Sequence, residues 1–310
     1  MGNRIFTAVV LVLWAVTMSW LVVTHVLPPF FQGKPPRAIS HEKNSIVYWQ
    51  IECLDEEVGW AVSMAVQNSL NTTDLHSRIV LENIPLKEMA PQWMHKIVDQ
   101  MGPITLDMKN QISLDAFDQL TGFDTEVCLN DMPAVIKMVG QCNDTDLQLR
   151  IVTGDVTHRI DYPLPKNSTL SGELTPDATL LQMFVGRRWK REVISPFRPL
   201  NQSIEILQAE VVTEEPLHHE GRLVNTKRVE YRTLDNTGIA ANDTLRAKLW
   251  VTDGGTVIQQ DIFFLNVRLR FNRKLDRQSL AWAEQQLGLN PVATAVDPPH
   301  HKPEVPNNSP

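Results

Sequence analysis

The stretch Leu245–Phe271, LRAKLWVTDGGTVIQQDIFFLNVRLRF, decides the fold class. Leu245, Ala247, Leu249 and Val251 alternate up to Asp253-Gly254-Gly255, and Phe263, Leu265, Val267, Leu269 and Phe271 alternate on the way out. Successive side chains of an extended chain point to opposite faces, so a period of two marks strands buried on one side. Two glycines between such runs supply the positive φ of a tight turn. The stretch reads as an antiparallel hairpin with one strand entering and one leaving.

The same period runs back through the chain. Val47, Trp49, Ile51 and Cys53 carry it, as do Val58, Trp60, Val62, Met64 and Val66 after the acidic turn Asp55-Glu56-Glu57. Leu75, Ile79 and Leu81 follow, then Ile104, Leu106, Met108, Ile112 and Leu114, then Phe123, Val127 and Leu129. Further strands are expected over 135–139, 147–151, 158–162, 189–194, 203–212 and 223–234, with turn residues every eight to twelve positions. Ten to twelve antiparallel strands are too many for a flat sheet, which must curl. The expected fold is mainly β: a large curled antiparallel sheet (an incomplete β-barrel, residues 45–272) covered by short helices.

One segment has a different period. Leu86, Met89, Ala90, Trp93, Met94, Ile97, Val98 and Met101 recur at three-four spacing, which predicts helix over 86–101 with a break near Pro91. Flanked by strands, it is expected to lie across the concave face of the sheet. A second amphipathic helix is expected over 275–288, stopped by Gly288. Residues 289–310 read as a disordered Pro-rich tail.

The N-terminus carries Ile5–Leu27, 23 residues with no Asp, Glu, Lys or Arg. About 20 apolar residues cross a bilayer as a helix, so this run reads as a transmembrane anchor. Its apolar length exceeds that of a cleavable signal peptide, and no small-x-small site precedes Pro28-Pro29. Residues 1–4 are then a cytoplasmic stub, residues 28–44 a Pro-rich stalk, and the body is extracytoplasmic. A bacterial envelope suits this better than a eukaryotic lumen. The charge rule does not orient the anchor, because Arg4 and the amine stand against Lys34, Arg37 and Lys43. Of 310 residues, with formal net charge −7, the chain is too acidic for nucleic acid to be its main partner.

No catalytic or cofactor motif stands out: there is no G-x-S-x-G, H-E-x-x-H, C-x-x-C or phosphate-cradling glycine loop. His218-His219-Glu220 reads as a solvated turn, since neighbouring histidines on an extended chain face opposite ways. No metal or cofactor is expected. Register places Cys128 away from Cys142, so free thiols are expected. Two surfaces remain. The apolar stripe Trp93, Met94, Ile97 and Met101 either lines a cavity for a lipophilic ligand or fills the core. The basic cluster Arg187, Arg188, Lys190 and Arg191 either touches anionic headgroups or forms a solvated strand around a buried Trp189.

The opening Val58-Gly59-Trp60 and the closing hairpin, with its Trp-x-x-Asp-Gly turn and terminal Leu-x-Phe, resemble extracytoplasmic bacterial proteins of the incomplete-barrel type. These are the lipoprotein-localisation carriers, their lipoprotein-sensor cousins and uncharacterised periplasmic relatives. The resemblance implies an unclosed barrel whose concave face binds acyl chains or a protein partner, without catalytic residues. The chain departs from the carriers in its anchor and in lacking an N-terminal Cys, so a shuttle is not implied. The expected function is a membrane-anchored, non-catalytic protein holding a lipophilic ligand or an envelope protein; the alternative is an accessory subunit with a filled barrel.

Overall fold

Alternating burial produces, among the described residues, fifteen strands in one sheet. The computed structural model describes residues 2–22, 45–68, 71–82, 104–117, 119–130, 132–143, 146–163, 169–170, 175–194, 204–233, 244–264 and 267–287. The stalk, the expected helix over 86–101 and the tail lie outside these residues.

Strands β1 (Ile46–Cys53), β2 (Glu56–Gln67), β3 (Thr73–Leu81), β4 (Leu106–Leu114), β5 (Leu120–Leu129), β6 (Met132–Cys142), β7 (Asp146–Thr153) and β8 (Val156–Pro163) form one antiparallel meander. A short β9 (Thr169–Leu170) runs parallel to β10 (Arg188–Ile194). A second meander continues through β11 (Ile204–His219), β12 (Arg222–Thr233), β13 (Leu245–Thr252), β14 (Val257–Phe264) and β15 (Val267–Lys274). The last strand returns to the first, with Ile51 opposite Phe271 and Trp49 opposite Arg273. Among the described residues β8 and β9 are the two edges and do not pair with each other, so the sheet is unclosed.

One face feeds a single core. Trp49 and Ile51 of β1, Leu75 of β3, Met138 of β6, Leu147 of β7, Trp189 of β10 and Leu249 of β13 are at most 1% exposed and belong to one cluster. A cluster drawing on both meanders requires the sheet to curl around that face.

The structure departs from the sequence reading in four places. The strand expected to leave the Asp253-Gly254-Gly255 turn is two antiparallel strands, β14 and β15, with Phe264 paired to Val267. In β2 the inward face is Ala61, Ser63 and Ala65; Trp60 and Met64, expected inside, lie half-buried on the other side. The cause is the irregular register at Ile51/Glu52 and Gly59, which shift the phase after Val58. The C-terminal helix α2 (Arg277–Leu287) covers the outer rather than the concave face. Asp276 accepts the Ser279 N–H at 2.8 Å as its N-cap. Trp282 then packs edge-on to Tyr48 and Trp60, at 5.5 and 4.8 Å between centroids.

The fourth departure is the anchor. The described apolar segment is helix α1 (Gly2–Leu21). Phe6, Trp14 and Trp20 on it are 67%, 59% and 73% exposed. Residues 23–27 lie outside those described. Among the described residues no helix is long and apolar enough to cross a membrane, so the expected single span over 5–27 is not found.

Gly59 holds the phase change of β2. At φ +157° a Cβ there would stand 2.0 Å from the Val80 carbonyl oxygen of the paired strand. Gly59→Ala must therefore push β2 and β3 apart. Urea denaturation is expected to show at least about 2 kcal/mol of destabilisation; an unchanged midpoint would show that the strands can separate freely.

Candidate functional site

The polar side chains inside the sheet converge on one segment, residues 175–187, between β9 and β10. It is tied to β13 and β14 by backbone: Leu180 N–H donates to Gly255 C=O at 2.7 Å and Val257 N–H to Ala178 C=O at 3.1 Å. Its far end joins β11, where Gly186 N–H meets Val211 C=O at 2.8 Å. Ala178 and Leu180 are 1% and 2% exposed. Its first part, residues 175–180, is an internal strap, and Leu181, Phe184 and Val185 beyond it are exposed.

Its side chains reach the first meander. Thr175 Oγ1 lies 2.9 Å from Ser77 Oγ on β3 and accepts from Asn110 Nδ2 on β4 at 3.3 Å. Asn110 Oδ1 in turn accepts from the Thr125 hydroxyl on β5 at 2.6 Å. The strand registers set this row, with Ser63 opposite Ser77, Ser77 opposite Asn110, and Asn110 opposite Thr125. All four are buried among apolar neighbours.

Asp177 grips the second meander. Its carboxylate pairs with the Arg191 guanidinium at 3.2 Å, with side chains 14% and 13% exposed. Its backbone N–H donates to Gln260 Oε1 at 3.1 Å. Arg273 donates to the Ala178 carbonyl at 2.9 Å. Burial disfavours the Arg191 charge, but Asp177 and Tyr231 outweigh it and hold the guanidinium above its ordinary value. Burial also pushes the Tyr231 phenol up, with Asp177 adding to it. Trp189 meets that ring edge-on at 5.9 Å. Chemically this is a charge pair held in an apolar interior.

The basic cluster is divided by strand alternation. Arg191 shares the inward face with Trp189 and is not open to headgroups. Arg187 donates to the Leu181 and Gln182 carbonyls at 3.1 and 2.7 Å and covers the Trp189 ring at 5.6 Å. Arg188 points outward to Glu210 at 2.7 Å, and Lys190 is exposed. Trp93, Met94, Ile97 and Met101 lie outside the described residues. Cys53, Cys128 and Cys142 form no disulfide with one another. No group of three or more His, Cys, Asp or Glu converges among the described residues.

His218 and His219 end β11 rather than forming the turn, which is Glu220-Gly221. On the outer side, His76, Arg78, Lys109, Asp124, Glu126 and Gln286 line a groove of about 450 Å³. Arg78 closes one side of it, paired through Nε and Nη2 with the two Asp107 carboxylate oxygens and lying 5.4 Å over Trp60.

The strap was the part that sequence reasoning missed. One signal for it exists: Ser77, Asn110 and Thr125 sit at inward phase, each between two buried apolar residues, Leu75 and Ile79, Met108 and Ile112, Phe123 and Val127.

No family model matches the chain, and no curated protein matches it in sequence. Among solved structures it is similar to a β-barrel-like protein of a domain of unknown function, DUF1849, from Brucella abortus. That match has TM-score 0.47 and 8% identity over 74% of this chain and 94% of that one. It is also similar to a protein of YmcC-like fold, described as exported, from Bacteroides fragilis, with TM-score 0.26, 9% identity, and 77% and 97% of the two chains covered. A third, described as a lipoprotein, comes from Parabacteroides distasonis, with TM-score 0.27, 6% identity, and coverage of 78% and 98%. None of the three is described as a lipoprotein-localisation carrier.

Two measurements test the site. Asp177→Ala leaves a buried guanidinium without its carboxylate and is expected to cost about 3–5 kcal/mol, whereas Asp177→Ala with Arg191→Leu should cost less than the single change. A double variant as unstable as the sum of its parts would mean that the two residues act separately. His76 and His219 are each held below the imidazole value of 6.5, by burial first. The unfolded chain then binds protons before the folded one, so stability is full above about pH 6.5 and falls as pH drops below it. Urea midpoints should decrease from about pH 7.5 to about pH 5.5, and His76→Gln with His219→Gln should flatten that slope.

Proposed function

We propose that this chain is a membrane-tethered, non-catalytic accessory protein of the bacterial envelope, whose filled, unclosed barrel presents its outer surface to a protein partner. The observation that carries this reading is the strap. Residues 175–180 occupy the inside of the sheet and engage Ser77, Asn110, Arg191, Gln260 and Arg273, the groups a ligand or substrate would otherwise meet. Their polarity is matched within the chain, which supports a structural rather than a catalytic role. The tether is supported by the uncharged apolar run Ile5–Leu27 and the exposed apolar side chains of α1.

Native mass spectrometry of the full chain, extracted from membranes in detergent and stripped in the gas phase, tests the filled interior. The expected spectrum is a bare protein mass. A stoichiometric acyl-chain adduct would overturn the reading and return Trp93, Met94, Ile97 and Met101 to the centre as the wall of a lipophilic site. Alkaline carbonate washing should leave the chain in the membrane pellet; release into the supernatant would remove the tether.

A further inference from the structure

The edge strand β8 carries an unusual arrangement of charge. Arg159 faces Arg150 directly across β7, and Asp161 faces Gln148. These side chains line a shallow outer groove of about 280 Å³ beside the edge. Arg150, Arg159 and Asp161 are exposed, and among the described residues none of them makes an ion pair or a side-chain hydrogen bond. Like charges directly opposite on a sheet repel. The edge beyond β8 is likewise unpaired among the described residues.

Turn geometry fixes which backbone groups that edge offers. Thr153 and Val156 close a two-residue loop, Gly154-Asp155, with φ positive at Gly154 alone of the two. In such a hairpin the closing pair exchanges hydrogen bonds. The backbone of Val156, His158, Ile160 and Tyr162 therefore points to β7, and that of Thr157, Arg159, Asp161 and Pro163 points away from it. A strand added antiparallel to this edge must bond to those four, and Pro163 has no N–H to give.

We propose that β8 pairs with β8 of a second copy of this chain, antiparallel and about a twofold axis at Ile160, joining two sheets edge to edge. This proposal stands independently of what else the protein binds. Charge selects the register. An axis at Arg159 or Asp161 would set a like pair on the axis itself. With Ile160 there, each Arg159 faces the Asp161 of the other copy, and the contact is self-complementary as a twofold interface must be. Thr157 then meets Pro163, placing the missing N–H at the end of the ladder. Each new carboxylate also relieves the Arg150–Arg159 repulsion. Axes nearer the N-terminal end of β8 bring the Gly154-Asp155 turn into the ladder, and those beyond Asp161 leave the charges unmatched.

The test uses the full chain in detergent, sized by sedimentation equilibrium. Wild type is expected as a dimer. Arg159→Asp sets acid against acid, and Asp161→Arg sets base against base, so each single variant should dissociate about tenfold or more readily. Mixed together, the two variants should form a heterodimer, because every pair is again opposite in sign. The charge-reversed double variant should dimerise as wild type does. In parallel, Ile160→Cys should oxidise to a covalent dimer that wild type does not give, because the axial pair is a non-hydrogen-bonded one, with Cα atoms about 4.5 Å apart and within disulfide range. Thermal melts of each variant check that the fold is kept. A monomeric wild type, single variants that dimerise unchanged, or folded singles that fail to rescue each other would overturn the proposal.

Discussion

The Asp177–Arg191 pair matters because the sheet is open. A closed barrel is held by a continuous hydrogen-bonded ladder, whereas here β8 and β9 leave two edges unjoined. Among the described residues the two meanders pair only at the β1–β15 seam, and hydrophobic contact alone does not fix how far the far edges stand apart. The strap supplies that constraint, with Thr175 in the first meander and Asp177 in the second. A buried ion pair adds little net stability over an apolar substitute, but losing one partner is costly. It therefore acts chiefly as a register device: the strap fits in one place, where Asp177 meets Arg191 and Thr175 meets Asn110.

Small residues let the interior hold both a strap and large aromatics. Ala61, Ser63, Ala65 and Ala209 are almost fully buried, and Gly140 lies against the Phe123 ring, where a Cβ would stand 2.2 Å from it. Curling a sheet crowds side chains on its inner face, and these positions give room to Trp49, Trp189 and Tyr231. The outer face of the same strands follows other rules. Trp60 and Tyr48 are there because α2 brings Trp282 against them. The face that looks more hydrophobic in β2 is thus the one beneath the helix, and the Ala-Ser-Ala face is the true interior.

This explains how far the sequence was legible. Alternation located most strands and the glycine turns located the tightest hairpins, because both depend on neighbours in the chain. Side choice in β2 was not legible, since it turns on a bulge and on a helix more than 200 residues away. The β14–β15 reversal was hidden because apolar alternation runs on through Phe263, Leu265 and Val267 with no glycine or proline at the break. The inward Arg191 was hidden among its basic neighbours; its carboxylate lies in a loop that carries no periodic signal. The row of Ser77, Asn110 and Thr125 was visible only as gaps in an apolar pattern. Its meaning required the registers that place the three side by side.

The same row decides what the interior can accept. A chain-like apolar ligand entering here would displace the strap and separate Asp177 from Arg191. Breaking a buried charge pair costs about 3–5 kcal/mol, equivalent to burying roughly four to six methylenes at about 0.8 kcal/mol each. Ser77, Asn110, Gln260 and Arg273 would also lose partners, at about 1–3 kcal/mol for each buried group left unmatched. About nine to twenty methylenes would be consumed before any net affinity appeared, which an amphiphile already at home in a bilayer does not gain by moving. An apolar interior crossed by a strap with matched polar contacts therefore favours a rigid body over a carrier, and leaves recognition to the outer faces and the free edge.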